Sequence, residues 1–125
     1  MIDKNFYKGF EGEDQVKIWT THNNEEIGFL LWAGYFELLL DGCTKAKYEK
    51  EGLIECYFQR NGFYDDKWEA KDLSIIVEEL KQYDENQLRC RDPKLKKDVK
   101  TIADTLLSFI DNVVCHQTKL YIEYI

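Results

Sequence analysis

This chain has little material for bond chemistry. Among its 125 residues are two histidines, one proline (Pro93) and one methionine. Scarce histidine leaves few groups able to act as a base near neutral pH. His22 and His116 are far apart, and Cys115-His116 is the one Cys-His neighbour pair. Adjacent side chains point to opposite faces of a strand and diverge by about 100° on a helix, so this pair cannot interact directly. Cys115 is expected to be a small core residue. The seven glycines are scattered at positions 9, 12, 28, 34, 42, 52 and 62, which excludes a glycine-rich phosphate loop. The cysteines at 43, 56, 90 and 115 contain no Cys-x-x-Cys and no close pair of the kind zinc uses. Asp65-Asp66 lacks the alternating acids and the glycine of a calcium loop. No catalytic residue, no metal and no cofactor is expected.

Other absences bear on compartment. No apolar run reaches the ~18–20 residues of a membrane span. The first eight residues are polar and lack the apolar core of a signal peptide. No Asn-x-Ser/Thr site occurs. An even cysteine count permits two disulfides in three pairings. The expectation is nevertheless a cytoplasmic chain with free, mostly buried thiols.

What is present is a core and a charge. Hydrophobic residues make up 44%, aromatics 14% and charged residues 33% of the chain. That composition suits one folded domain spanning 1–125 and excludes general disorder. Acids number 24 against 17 bases, a net charge of −7. Binding to nucleic acid or an anionic membrane needs the opposite sign. Solubility alone is the plain reason for such acidity; a basic protein partner is the functional one. The acids concentrate in residues 1–85, while 86–100 hold six bases against Asp92 and Asp98. That basic segment has no aromatic residue to stack on bases, which argues against RNA.

The patterning predicts an α+β domain with a mainly antiparallel sheet packed against two or three helices, the helices concentrated in the C-terminal half. Leu73, Ile76, Val77 and Leu80 recur at helical spacing, with Asp72 as cap and an end near Tyr83. The outer face of this helix is read as Glu78, Glu79, Gln82 and Glu85, with Ile75. A second helix opens at Asp92-Pro93 and runs to about Val114. Its apolar stripe is Leu95, Val99, Ile102, Ala103, Leu106, Phe109, Ile110 and Val113, with Lys97, Lys100, Asp104, Ser108 and Asp111 opposite. Val16–Thr20, Leu53–Phe58 and Lys119–Ile125 read as strands, and Asn61-Gly62 as a tight turn. Residues 27–40 fit either a helix capped by Asn24 and stopped at Gly42, or two buried strands bending at Ala33-Gly34. The strand reading is preferred.

One constellation stands out. From Asp65 to Glu85 there are eight acids against Lys67, Lys71 and Lys81, with Tyr64 and Trp68 embedded. Each carboxylate pair in the chain is read first as a solvated face. Trp68, just before a helix, is read first as packing on the core. Aromatics set in charge of one sign also suit an interface with a basic partner.

The segment Tyr64-Asp65-Asp66-Lys67-Trp68-Glu69-Ala70-Lys71-Asp72-Leu73-Ser74-Ile75-Ile76-Val77-Glu78-Glu79-Leu80, in a short acidic α+β chain, resembles the immunity proteins of bacterial polymorphic-toxin and contact-dependent inhibition systems. It is similar to barstar in charge logic only. The resemblance covers roughly 20 residues and implies a non-enzymatic protein that binds a toxin domain, often a nuclease, and occludes its basic cleft. The resemblance carries over no binding residue; the partner surface read from charge and aromatics is an acidic patch of Asp65, Asp66, Glu69, Glu78, Glu79 and Glu85 anchored by Tyr64, Trp68 or Ile75, on a monomer or weak homodimer. Two alternatives stand beside it. One is a small enzyme or ligand-binding domain whose pocket the sequence hides, with His22 or His116 beside a carboxylate or cysteine. The other is a dimeric regulatory or scaffold protein joined through sheet edges or Ile75.

Overall fold

The chain opens with three strands, β1 (Ile2–Phe6), β2 (Gln15–His22) and β3 (Glu25–Trp32). The structure is a computed structural model, and it describes residues 1–43, 52–59, 67–88 and 90–125. Strands β2 and β3 form a hairpin whose two-residue loop is Asn23-Asn24, both with positive φ (52° and 64°). Asparagine tolerates the left-handed region, and this backbone twist matches the flanking strands. Asn24 is therefore a hairpin residue and not a helix cap.

Helix α1 (Ala33–Gly42) follows β3 directly. The ambiguous stretch 27–40 is thus one strand to Trp32 and one helix from Ala33. The second buried strand expected after Ala33-Gly34 is absent. Tyr35, Phe36, Leu39 and Leu40 are buried at helical spacing, and this tertiary burial decides the outcome. Phe10, in the connection before β2, stacks on Trp32 with ring centroids 4.2 Å apart and holds this junction.

Helix α2 (Leu53–Gln59) corrects a second expectation, since this segment was read as a strand. Leu53, Cys56 and Tyr57 lie at i, i+3 and i+4 and are all buried. A six-residue apolar run is too short for its period to declare itself. The Asn61-Gly62 turn lies outside the described residues.

Strand β4 (Trp68–Glu69) leads into helix α3 (Leu73–Lys81). Asp72 caps α3 by accepting from the Ser74 backbone N–H at 3.0 Å. A 3-10 turn (Glu85–Gln87) precedes helix α4 (Pro93–Cys115). Asp92 caps α4 through the Lys94 N–H at 2.9 Å, with Pro93 in the first turn. Helix α4 ends when Gln117 takes a positive φ of 54°. The Gln117 and Thr118 N–H groups bond Val114 and Val113 carbonyls, a Schellman closure that turns the chain into strand β5 (Tyr121–Tyr124).

The sheet order is β1-β3-β2-β5-β4. Strand β1 pairs with β3 in parallel, and all other pairs are antiparallel. Val16, Ile18, Phe29, Leu31 and Ile122 share the face that packs on α1, α2, α3 and α4 in one core. This is the expected α+β domain with a mostly antiparallel sheet, its helices mainly C-terminal. On the opposite face Trp19 sits across from Gly28, beside Tyr121 at 5.5 Å and under Lys17 Nζ at 4.3 Å. A side chain at Gly28 would lie 2.0 Å from the Ile18 carbonyl oxygen, so the sheet requires glycine there.

Candidate functional site

The nine residues of the expected partner surface separate in space. Tyr64, Asp65 and Asp66 lie outside the described residues. Trp68 is half-buried against the core, with its backbone paired to β5. Glu69 reaches Lys119 Nζ at 3.4 Å. Glu78 is exposed and pairs loosely with Lys81 at 3.7 Å.

Glu79 is the clearest correction. It is 3% exposed, not on an outer face. Its Oε1 accepts from the Leu53 N–H at 2.6 Å and its Oε2 from the Ile54 N–H at 3.2 Å. The first N–H groups of a helix have no partner within it, and a carboxylate satisfies them with favourable charge. Glu79 therefore joins α3 to α2 and is unavailable to a partner. Ile75 is half-buried one helical turn before Glu79, on the same side of α3. Glu85 belongs to the 3-10 turn and faces Lys96, Lys97 and Lys100 of α4 across a small groove. Its charge meets a basic strip and does not extend the acidic surface.

One acidic feature is assembled by the fold. An open groove of about 560 Å³ runs between the N-terminal part of α3 and the C-terminal part of α4. Leu73, Val77 and Val114 form its apolar lining, and Asp72, Glu78 and Asp111 supply three carboxylates against Lys71. Val114 is 53% exposed, unusual for a large apolar side chain. Hydrogen bonds from the Ser74 hydroxyl and backbone hold the Asp72 carboxyl below its ordinary range, so its charge persists into mild acid. The residues missed from sequence are Leu73, Val77, Asp111 and Val114 as a unit. The available signal was Val114, an apolar residue at i+3 from Asp111 on the polar side of α4.

The thiols are all free. Cys43 and Cys56 are buried, Cys90 is half-buried and Cys115 is exposed, against the expectation of a core residue. Cys115 is the last residue of α4, past the stripe that ends at Val113. Burial, with the nearby Glu79 charge, pushes the Cys43 thiol up to about 12. A thiol so raised is a poor nucleophile. Among the described residues no group of three His, Cys, Asp or Glu is placed to hold a metal ion. Among them no helix is long and apolar enough to cross a membrane.

The two histidines do meet. His22 and His116 lie edge to face with ring centroids 5.5 Å apart, in a cleft of about 320 Å³ between the β2–β3 hairpin and the end of α4. Among the described residues, no carboxylate or cysteine lines it. Comparison with protein-family models, with curated proteins and with solved structures finds no match to this chain.

Proposed function

We propose that this protein is an inhibitor of the immunity type, which binds a basic toxin domain through the α3–α4 groove and blocks it without turnover. The observation that carries this reading is the groove's composition: an apolar floor of Leu73, Val77 and Val114 rimmed by Asp72, Glu78 and Asp111. Apolar centres with charged rims are the usual anatomy of a specific interface. The net charge of −7 supports the same partner sign at long range. Opposite charge accelerates encounter, and the apolar floor supplies residence time.

The mechanism is occlusion. Lysine and arginine side chains that hold nucleic acid in the toxin would instead meet the rim carboxylates. Bases contacted this way are lost to phosphate, so a nuclease loses its substrate. The experiment is co-expression with the product of the adjoining gene. Wild-type protein should restore growth, and the triple variant Asp72→Asn, Glu78→Lys, Asp111→Lys, which keeps the α3 cap, should not. Equal protection by the triple variant overturns the groove; a harmless neighbouring gene product overturns the function.

A further inference from the structure

The structure assigns a second site to this chain: the histidine cleft takes a small apolar molecule bearing a hydroxyl head, a phenol or similar alcohol. The inference is independent of the acidic groove, which lies on the other side of α4's C-terminal half.

The cleft arises from a length mismatch. Thr20 and His22 project from the helix-facing side of β2, where the hairpin runs past the end of β5 pairing. Phe109, Val113 and His116 recur at i, i+4 and i+7 on α4 and form the facing wall. Ile27, opposite Thr20 in register, is left 39% exposed at the mouth. The result is a pocket with apolar walls and few polar groups, near the small end of ligand-site volumes.

Two observations define the ligand's head. First, Thr20 is 6% exposed, and its Oγ1 is buried with no hydrogen-bond partner among the described residues. Buried hydroxyls are rarely left so, and a χ1 rotation turns this one toward the cleft that Thr20 lines, where a ligand can pair with it. Second, the Nδ1 of His116 lies 2.8 Å from the Asn112 carbonyl oxygen. A carbonyl can only accept, so Nδ1 carries the proton and Nε2 of the neutral ring is left as an acceptor. The site thus offers a hydroxyl able to donate and an imidazole nitrogen able to accept. A ligand hydroxyl answers both, since it accepts through its oxygen and donates its own proton. A carboxylate has no proton for Nε2, and a hydrocarbon answers neither. Phe109, Ile27 and Val113 cover the apolar body.

The test is titration with 4-ethylphenol, ethylbenzene and benzoate, followed by the imidazole proton resonances of His22 and His116 and by calorimetry. Expected is saturable 4-ethylphenol binding below about 10 mM, with ethylbenzene and benzoate each about tenfold weaker or more. Thr20→Val keeps the shape and removes the hydroxyl. It should weaken 4-ethylphenol about tenfold, leave ethylbenzene unchanged and raise the Tm. Ile27→Trp, at the exposed mouth, should block all three ligands without unfolding the chain. Three results overturn the assignment: no saturation by 4-ethylphenol, equal binding of phenol and hydrocarbon, or tighter binding of benzoate. Unchanged phenol affinity in a folded Thr20→Val protein overturns it as well.

Discussion

Replacing Glu79 with alanine should remove much of this domain's stability, although sequence reading places that residue on a solvated face. Its carboxylate accepts the first two N–H groups of α2, at 2.6 and 3.2 Å, from a position 3% exposed. Hydrogen bonds to a charged group contribute about 1.5–3 kcal/mol each, and the N–H of Leu53 is itself buried. Glu79→Ala should therefore cost about 3–5 kcal/mol out of a total of about 5–15 for such a domain. With a urea m-value of about 1.5 kcal/mol per molar, the midpoint falls by roughly 2–3 M. Glu79→Gln keeps the shape and one acceptor but turns an amide N–H toward a backbone donor; about 2 kcal/mol is expected. Gly52 supplies the control. A methyl group there would lie 2.6 Å from Glu79 Oε1. Gly52→Ala should cost about 1–3 kcal/mol in the wild type and well under 1 in the Glu79→Ala background, because the obstructing carboxylate is gone. Urea unfolding followed by circular dichroism measures all four variants against the wild type. A cost below about 1 kcal/mol for Glu79→Ala, or equal costs of Gly52→Ala in both backgrounds, would refute the reasoning.

Four further outcomes follow from the same geometry. Gly28→Ala should abolish folding or cost more than about 3 kcal/mol by thermal denaturation, since the new Cβ meets backbone atoms of Ile18 and Trp19 at 2.0 and 2.6 Å. Burial pushes Cys43 up to about 12, as it does Tyr35, aided by its bond to Asp98, and Tyr83, aided by the Glu85 charge. Raised pKa values mean that the contribution of these groups is intact below about pH 9 and lost as pH climbs toward 12, so the thermal midpoint should hold from about pH 7 to 9 and fall between 9 and 12. In the native state at pH 8, a thiol reagent should modify Cys115 rapidly and Cys43 only on unfolding; equal rates would contradict the burial order. Tyr83→Phe should be neutral or stabilising by about 1 kcal/mol in urea, because its hydroxyl is buried with no hydrogen-bond partner.

Long periodic segments with capping residues were legible in the sequence. Helix α4 begins at Asp92-Pro93 and ends within a residue or two of expectation, and α3 begins at its Asp72 cap. The hairpin partner β3 and helix α1 were obscured because strand and helix abut at Trp32-Ala33 with no glycine or proline between them. Residues 53–58 read as a strand because the seven-residue helix they belong to gives less than two turns of signal. The site was less legible than the fold. Glu78 and Glu79 are sequence neighbours with opposite fates, since 100° of helix rotation sends one to water and the other to a backbone N–H 26 residues away. Asp111 and Val114 join Asp72 and Glu78 only because α4 packs beside α3. The meeting of His22 with His116 likewise depends on the Schellman turn at Gln117.

The affinity of the purified chain for the product of the adjoining gene, compared between wild type and a groove stripped of its negative charge, tests the functional account most directly. Calorimetry on the wild type and on Asp72→Asn, Glu78→Lys, Asp111→Lys, which keeps the α3 cap and should keep the Tm, should show a loss of about a hundredfold or more and a weaker dependence on salt. Equal affinities, or tight binding indifferent to salt, would contradict it.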